Sequence, residues 1–174
     1  MIGIEQIADL EDMSAMALDA GQIRDLVGES GTCILSWTTR DGYPVGVAMG
    51  YVFRDGAFWM TTPAWRKRVR ALSTRPKSCV TVIKDGSSAT FKGESVIHGP
   101  ADPDWPTLTS WFYAALSGTE RDPADVAART VHRLLDSPNR VIVETRAHLV
   151  AGFDWRKFEA AIGATITATT NPSS

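Results

Sequence analysis

Residues 31–62 read GTCILSWTTRDGYPVGVAMGYVFRDGAFWMTT, three runs rich in β-branched and aromatic residues punctuated by Asp41-Gly42 and Asp55-Gly56. Asp-Gly pairs supply the positive φ angles of tight hairpin turns, so this stretch predicts a β-meander. Residues 63–76, PAWRKRVRALSTRP, predict a short helix with Pro63 or Ala64 near its start, Val69 and Leu72 turned inward and Pro76 stopping it. Residues 78–99, SCVTVIKDGSSATFKGESVIHG, add two strands around Asp85-Gly86, the second running past Gly93 to His98.

Upstream, Ser14 to Glu29 predict an amphipathic helix with Ser14 as its cap and Met16, Ile23, Leu26 and Val27 on one face. Residues 103–117 and 122–137 repeat apolar side chains at helical spacing, and 139–145, NRVIVET, reads as a strand that 148–155, HLVAGFDW, extends. Residues 1–30 form an N-terminal helical segment in this reading, and 160–174 form a small, polar, flexible tail. Six mostly antiparallel strands with helices at the side describe one domain over residues 1–174, mainly β with flanking helices, curled into a small closed or partly closed barrel.

Bulk numbers exclude several function classes. The chain has 174 residues, 44% hydrophobic and 22% charged, as soluble globular domains do. Its 18 basic and 20 acidic residues leave a net charge of −2, so no field covers the molecule that would draw in nucleic acid or an anionic membrane, and any anion site must be local. There is no apolar run of about 18 residues and no basic, apolar leader, which makes the cytoplasm the expected location. Cys33 and Cys79 lie in apolar β-branched runs and read as inert core thiols. His98, His132 and His148 are far apart and form no ligand-spaced pair, so no metal site is expected.

The chemistry concentrates in WMTTPAWRKRVRALSTRP, residues 59–76. A strand ending in Thr61 and Thr62 runs within a few residues into a helix starting near Arg66-Lys67. Unpaired N–H groups of a first helical turn, threonine hydroxyls and a guanidinium all favour phosphate. Cations at a helix N-terminus oppose the helix dipole at roughly 0.3–1 kcal/mol each, and a bound anion would offset that cost. The competing reading is a solvated basic face made by Arg66, Lys67, Arg68, Arg70 and Arg75.

From Cys33 to Val82, the order of strand, Asp-Gly turn, strand, threonine-rich strand end, Arg-Lys and a short helix ending in Arg-Pro resembles the coenzyme-binding core of the pyridoxamine 5'-phosphate oxidase-like superfamily. The resemblance implies a six-stranded antiparallel split β-barrel that binds FMN. It implies that Arg66 and Lys67 hold the coenzyme phosphate beside Thr61 and Thr62, and that Val47, Ala48, Met49 and Gly50 run along the isoalloxazine. Thr90 would reach phosphate or ring, and Trp65 would cover the coenzyme. The run VGVAMG replaces the RxVLLK-like strand of the oxidases proper, which argues against pyridoxamine phosphate as substrate. The ending VIVETRAHLVAGFDWRKF looks like the flavin- or F-420-dependent oxidoreductase branch.

The resemblance further implies a homodimer with coenzyme at the subunit interface and a C-terminal segment near Trp155 approaching the partner's flavin. F-420 is the close alternative coenzyme, with Lys84, Arg68 or Arg70 meeting its acidic tail, and a non-catalytic flavin or haem carrier is a second class. Trp37, Trp59 and Trp111 read as core. Tyr51, His98 and Lys84 carry no catalytic role in this reading, because a redox coenzyme brings its own chemistry and needs only alignment and dryness.

Overall fold

Hairpin turns set the strand boundaries. In the computed structural model, which describes residues 14–170, Asp55 and Gly56 take φ of 53° and 74°, and Asp85 and Gly86 take 48° and 80°. Both pairs close two-residue hairpins, the two positive φ angles being those of the type I′ turn whose twist matches the strands. Asp41-Gly42 differs. It sits in a longer loop where only Gly42 is left-handed, and Thr39 ties the loop by accepting from the Tyr43 N–H at 2.9 Å.

In chain order the elements are α1 (Ala20–Ser30), β1 (Thr32–Thr38), β2 (Pro44–Gly50), β3 (Val52–Arg54), β4 (Ala57–Pro63), α2 (Lys67–Thr74), β5 (Lys77–Lys84), β6 (Ser87–His98), α3 (Trp105–Ser117), α4 (Val126–Leu135), β7 (Arg140–Asp154) and α5 (Trp155–Thr170). A 3-10 turn at Ser14–Met16 precedes α1. The strands make one antiparallel sheet ordered β2-β1-β5-β6-β7-β4-β3. Its two edge strands, β2 and β3, are separated in the chain by Tyr51 alone. Consecutive Cα atoms are about 3.8 Å apart, so the sheet must curl until its edges meet at that residue. The result is an antiparallel half-barrel.

Three sequence expectations are corrected. Seven strands form instead of six, because the chain turns at Tyr51 and splits the second run into β2 and β3. The meander is not a single ladder: β4 pairs with β7 from Ala57↔Arg146 to Pro63↔Arg140, not with β2. Helix α1 is capped by Asp19 rather than Ser14. The Asp19 carboxylate accepts from the Gln22 N–H at 2.9 Å, and the Gln22 side chain accepts from the Asp19 N–H at 3.0 Å, a reciprocal box that Ser14, with Ala17 three residues on, cannot make.

The C-terminal tail, expected from residue 160, is helical as far as Thr170. Its first turn is anchored by the Trp155 N–H donating to Gly86 O and by Lys157 Nζ donating to Ala17 O. Residues 171–174, like the first 13, lie outside the described residues. No helix among the described residues is long and apolar enough to cross a membrane.

Strand alternation sorts the core into two layers. Cys33, Leu35, Met49, Phe58, Met60, Val80, Val82, Ala89, Phe91 and Val143 face the concave side, where Leu26 and Val27 of α1 and Leu72 of α2 close over them. Burial pushes the Cys33 thiol up to about 12, so it stays protonated and unreactive. Ala57, Trp59 and Ile142 face the convex side and meet Leu108, Phe112 and Tyr113 of α3 and Leu135 of α4. On the convex face of the remaining strands, Ala48, Ile34, Thr81, Thr90 and Ala151 are register partners in one row. All five are exposed or half-buried.

The bend in β6 lies at Lys92/Gly93, where the register with β7 shifts. A Cβ built on Gly93 would overlap the Arg146 carbonyl, so only glycine allows this approach. Gly93→Ala is expected to cost on the order of 3 kcal/mol in chemical denaturation. An alanine variant as stable as the parent would contradict this account of the bend.

Candidate anion-binding site

The strand-to-helix junction is built by backbone bonds. Pro63 ends β4 opposite Arg140, the Ala64 N–H donates to Asn139 O at 2.8 Å, and the Arg66 N–H donates to Pro63 O at 3.1 Å. These bonds hold residues 63–66 in a turn. Helix α2 therefore starts at Lys67, not at Pro63 or Ala64, with Arg66 as its N-cap at φ −66° and ψ 138°.

An arginine cannot accept a hydrogen bond, and Arg66 makes no side-chain cap. The first turn contains no acidic residue. Among the described residues, Arg66, Lys67, Arg68 and Arg70 have no carboxylate within ion-pair distance. Burial and the neighbouring Arg66 cation hold the Arg68 guanidinium below its ordinary value. The junction thus gathers four like charges near the positive end of a helix, none of them paired with a carboxylate among the described residues.

The other predicted residues divide by strand face. Thr62 is 2% exposed and points inward, whereas Thr61 points to the convex side, donates to Val141 O at 3.0 Å and accepts from Arg140 Nη1 at 3.4 Å. Adjacent residues of a strand face opposite ways, so at most one of these hydroxyls is directed at any one ligand on the sheet. Val47 and Met49 likewise turn into the concave core, while Ala48 and Gly50 face out. Thr90 shares that outer face and lies 3.0 Å from Thr81, hydroxyl to hydroxyl. Trp65 is 71% exposed on the junction loop.

Two contacts escaped the sequence reading. Arg68 Nη1 approaches Met49 Sδ to 3.4 Å and ties the start of α2 to β2. Arg40, from the loop after β1, joins Lys67, Arg70 and Arg75 around a hollow of about 480 Å³ that also contains Trp37, Thr39 and Thr74. The nearby Asp41 carboxylate accepts from the Thr39 hydroxyl at the rim. No local signal in the sequence brings Arg40 and Lys67 together.

Residues assigned no catalytic role are occupied elsewhere. Lys84 pairs with Glu29 at 2.6 Å, away from α2. The Tyr51 hydroxyl, pushed up to about 12 chiefly by burial, donates to Val27 O at 2.6 Å. His98 lies 2.8 Å from Glu144, which also binds Arg146 at 2.6 Å. Trp155 is exposed and donates to Glu159.

A curled antiparallel half-barrel with flanking helices is the fold of the split barrels. The profile of the family described as pyridoxamine 5'-phosphate oxidase matches residues 20–154, most of the chain, and the protein belongs to that flavin-binding family. Solved structures agree on the fold. A conserved hypothetical protein of Mycobacterium tuberculosis is 23% identical with a TM-score of 0.66, covering 84% of this chain and 91% of its own. A FAD-binding protein of Mesorhizobium loti is 16% identical at a TM-score of 0.60, covering 78% and 94%. An F-420 reductase is 19% identical at 0.53, covering 73% and 94%. No curated protein sequence matches.

The charge arrangement makes a stability prediction that needs no ligand. Arg66→Asp introduces a capping acceptor and a negative charge at the helix start, so the ligand-free protein should gain about 1 kcal/mol or more. Urea denaturation at low salt checks it; a destabilised variant would mean that Arg66 makes a favourable contact in the free protein.

Proposed function

We propose that the protein is a cytoplasmic, homodimeric FMN-dependent oxidoreductase acting on a small organic substrate, with the coenzyme phosphate held by Arg66 and Lys67. The observation that carries this reading is the uncapped start of α2, where cations crowd the positive end of a helix without a carboxylate. The donor set fits a phosphate: a forked guanidinium, an ammonium and the N–H groups of Lys67 and Arg68 converge in sequence at one helix end, the Val69 N–H being taken by Arg66 O at 2.9 Å.

When bound, FMN supplies two-electron redox chemistry. The chain's own task is then to bind, orient and exclude water. In this reading the backbone of Ala48 and Gly50, carrying small or no side chains, lets a planar ring approach the sheet, with Thr90 on the same face and Trp65 covering the coenzyme from the junction loop. A second copy of the chain covers the convex row of Ala48, Ile34, Thr81 and Thr90, which no helix shields among the described residues.

A second reading, F-420 as coenzyme, is favoured by the hollow beside Lys67. Arg40, Arg70 and Arg75 extend the positive charge beyond what a single phosphate needs, as an acidic tail requires. Arg40→Ala plus Arg70→Ala should leave FMN affinity within about threefold if the phosphate rests on Arg66 and Lys67 alone, and should weaken F-420 by tenfold or more if the tail lies in the hollow.

The principal test compares FMN with riboflavin. Arg66→Ala plus Lys67→Ala removes charge-assisted bonds worth about 1.5–3 kcal/mol each, so FMN affinity should fall at least tenfold while riboflavin, lacking the phosphate, is unaffected. Equal FMN affinity in the parent and the double variant, read by flavin fluorescence titration, would contradict the assignment.

A further inference from the structure

A second hollow of about 720 Å³ lies on the other side of the Tyr51 seam, between α1, the start of β3 and the end of α3. That volume falls within the roughly 300–1,000 Å³ of small-molecule sites. One side of its wall is apolar: Ile23, Val27, Tyr51, Phe53, Phe91 and Leu116. Tyr51, Phe53 and Phe91 all pack on Phe58, with ring centroids 5.2, 4.8 and 4.8 Å away, so the aromatic part of the wall is braced from behind. Phe53 is nevertheless 45% exposed, an aromatic ring held open to the hollow.

The charged groups around it are Arg24, Arg121 and Glu120. None has an ion-pair partner among the described residues, so two guanidinium groups against one carboxylate leave the hollow net positive. Tyr51, the wall's hydroxyl-bearing ring, already donates to Val27 O. The surface therefore combines one open aromatic ring, Phe53, and the edges of the buried Tyr51 and Phe91 rings with forked cations.

We infer that this hollow is a binding site for a planar aromatic carboxylate, its ring against Tyr51, Phe53 and Phe91 and its carboxylate on Arg24 and Arg121. The site contains none of the residues assigned to FMN and does not rest on that assignment. It adjoins the sheet at Gly50, where an added Cβ would come within 3.6 Å of Leu116.

Gly28 lines the hollow on α1, and a Cβ there meets nothing within 4 Å. Gly28→Leu thus projects a bulky side chain into the hollow without a backbone clash while replacing a helical glycine, so the variant retains its fold. Naphthoate and the neutral naphthalenemethanol are titrated against the full chain by fluorescence. Naphthoate should bind saturably. Arg24→Ala plus Arg121→Ala should weaken it at least about tenfold and change the neutral ring by less than about threefold, while Gly28→Leu should abolish both. Three results would overturn the inference: no saturable naphthoate binding, naphthoate binding intact in Gly28→Leu, or equal losses for acid and alcohol in the double variant.

Discussion

The meeting of the two sheet edges at Tyr51 is the constraint on which the other features rest. Because β2 and β3 stand at opposite ends of the strand order yet adjoin in the chain, the sheet has no freedom to lie flat. Tyr51 then does two further things: its hydroxyl holds α1 through Val27 O, and its ring packs edge-on against Phe58. Curling also separates the two faces, giving a concave side that α1 and α2 close and a convex side that α3 and α4 partly cover. Removing water from this much apolar surface supplies the stability that a small curled sheet needs.

Against that apolar background the start of α2 is electrostatically unfavourable. Helices prefer acids or neutral acceptors at their first turn, and this one presents Arg66, Lys67, Arg68 and Arg70. The surrounding backbone bonds hold the turn in place regardless, through Asn139 and Pro63. In the proposed function this helix start, costly when empty, gains more from an anion than a neutral one would, an exchange of stability for binding. The same logic explains why Lys84 does not belong to it: its charge is already satisfied by Glu29.

How much of this was legible in the sequence follows from the range of each interaction. Asp55-Gly56, Asp85-Gly86, the Pro76 stop and the Arg-Lys helix start are local, and the strand, turn and helix order from Cys33 to Val82 carries the resemblance to the family. The Asp19/Gln22 box is equally local, a carboxylate at the N-cap with an amide three residues on. What could not be read is long-range: the pairing of β4 with β7, the break at Tyr51, the approach of Arg68 to Met49 and of Arg40 to Lys67. Side-chain facing was half legible, since alternation alone separates Thr61 from Thr62, but which face carries the core depends on partners eighty residues away.

In the proposed function a coenzyme phosphate neutralises the start of α2. A crystal structure of the protein loaded with FMN tests it most directly. The phosphate oxygens should lie within hydrogen-bond distance of the Arg66 guanidinium and the Lys67 ammonium, with first-turn N–H groups of α2 pointing at them. FMN bound with its phosphate elsewhere, and those two side chains left in solvent, would contradict it.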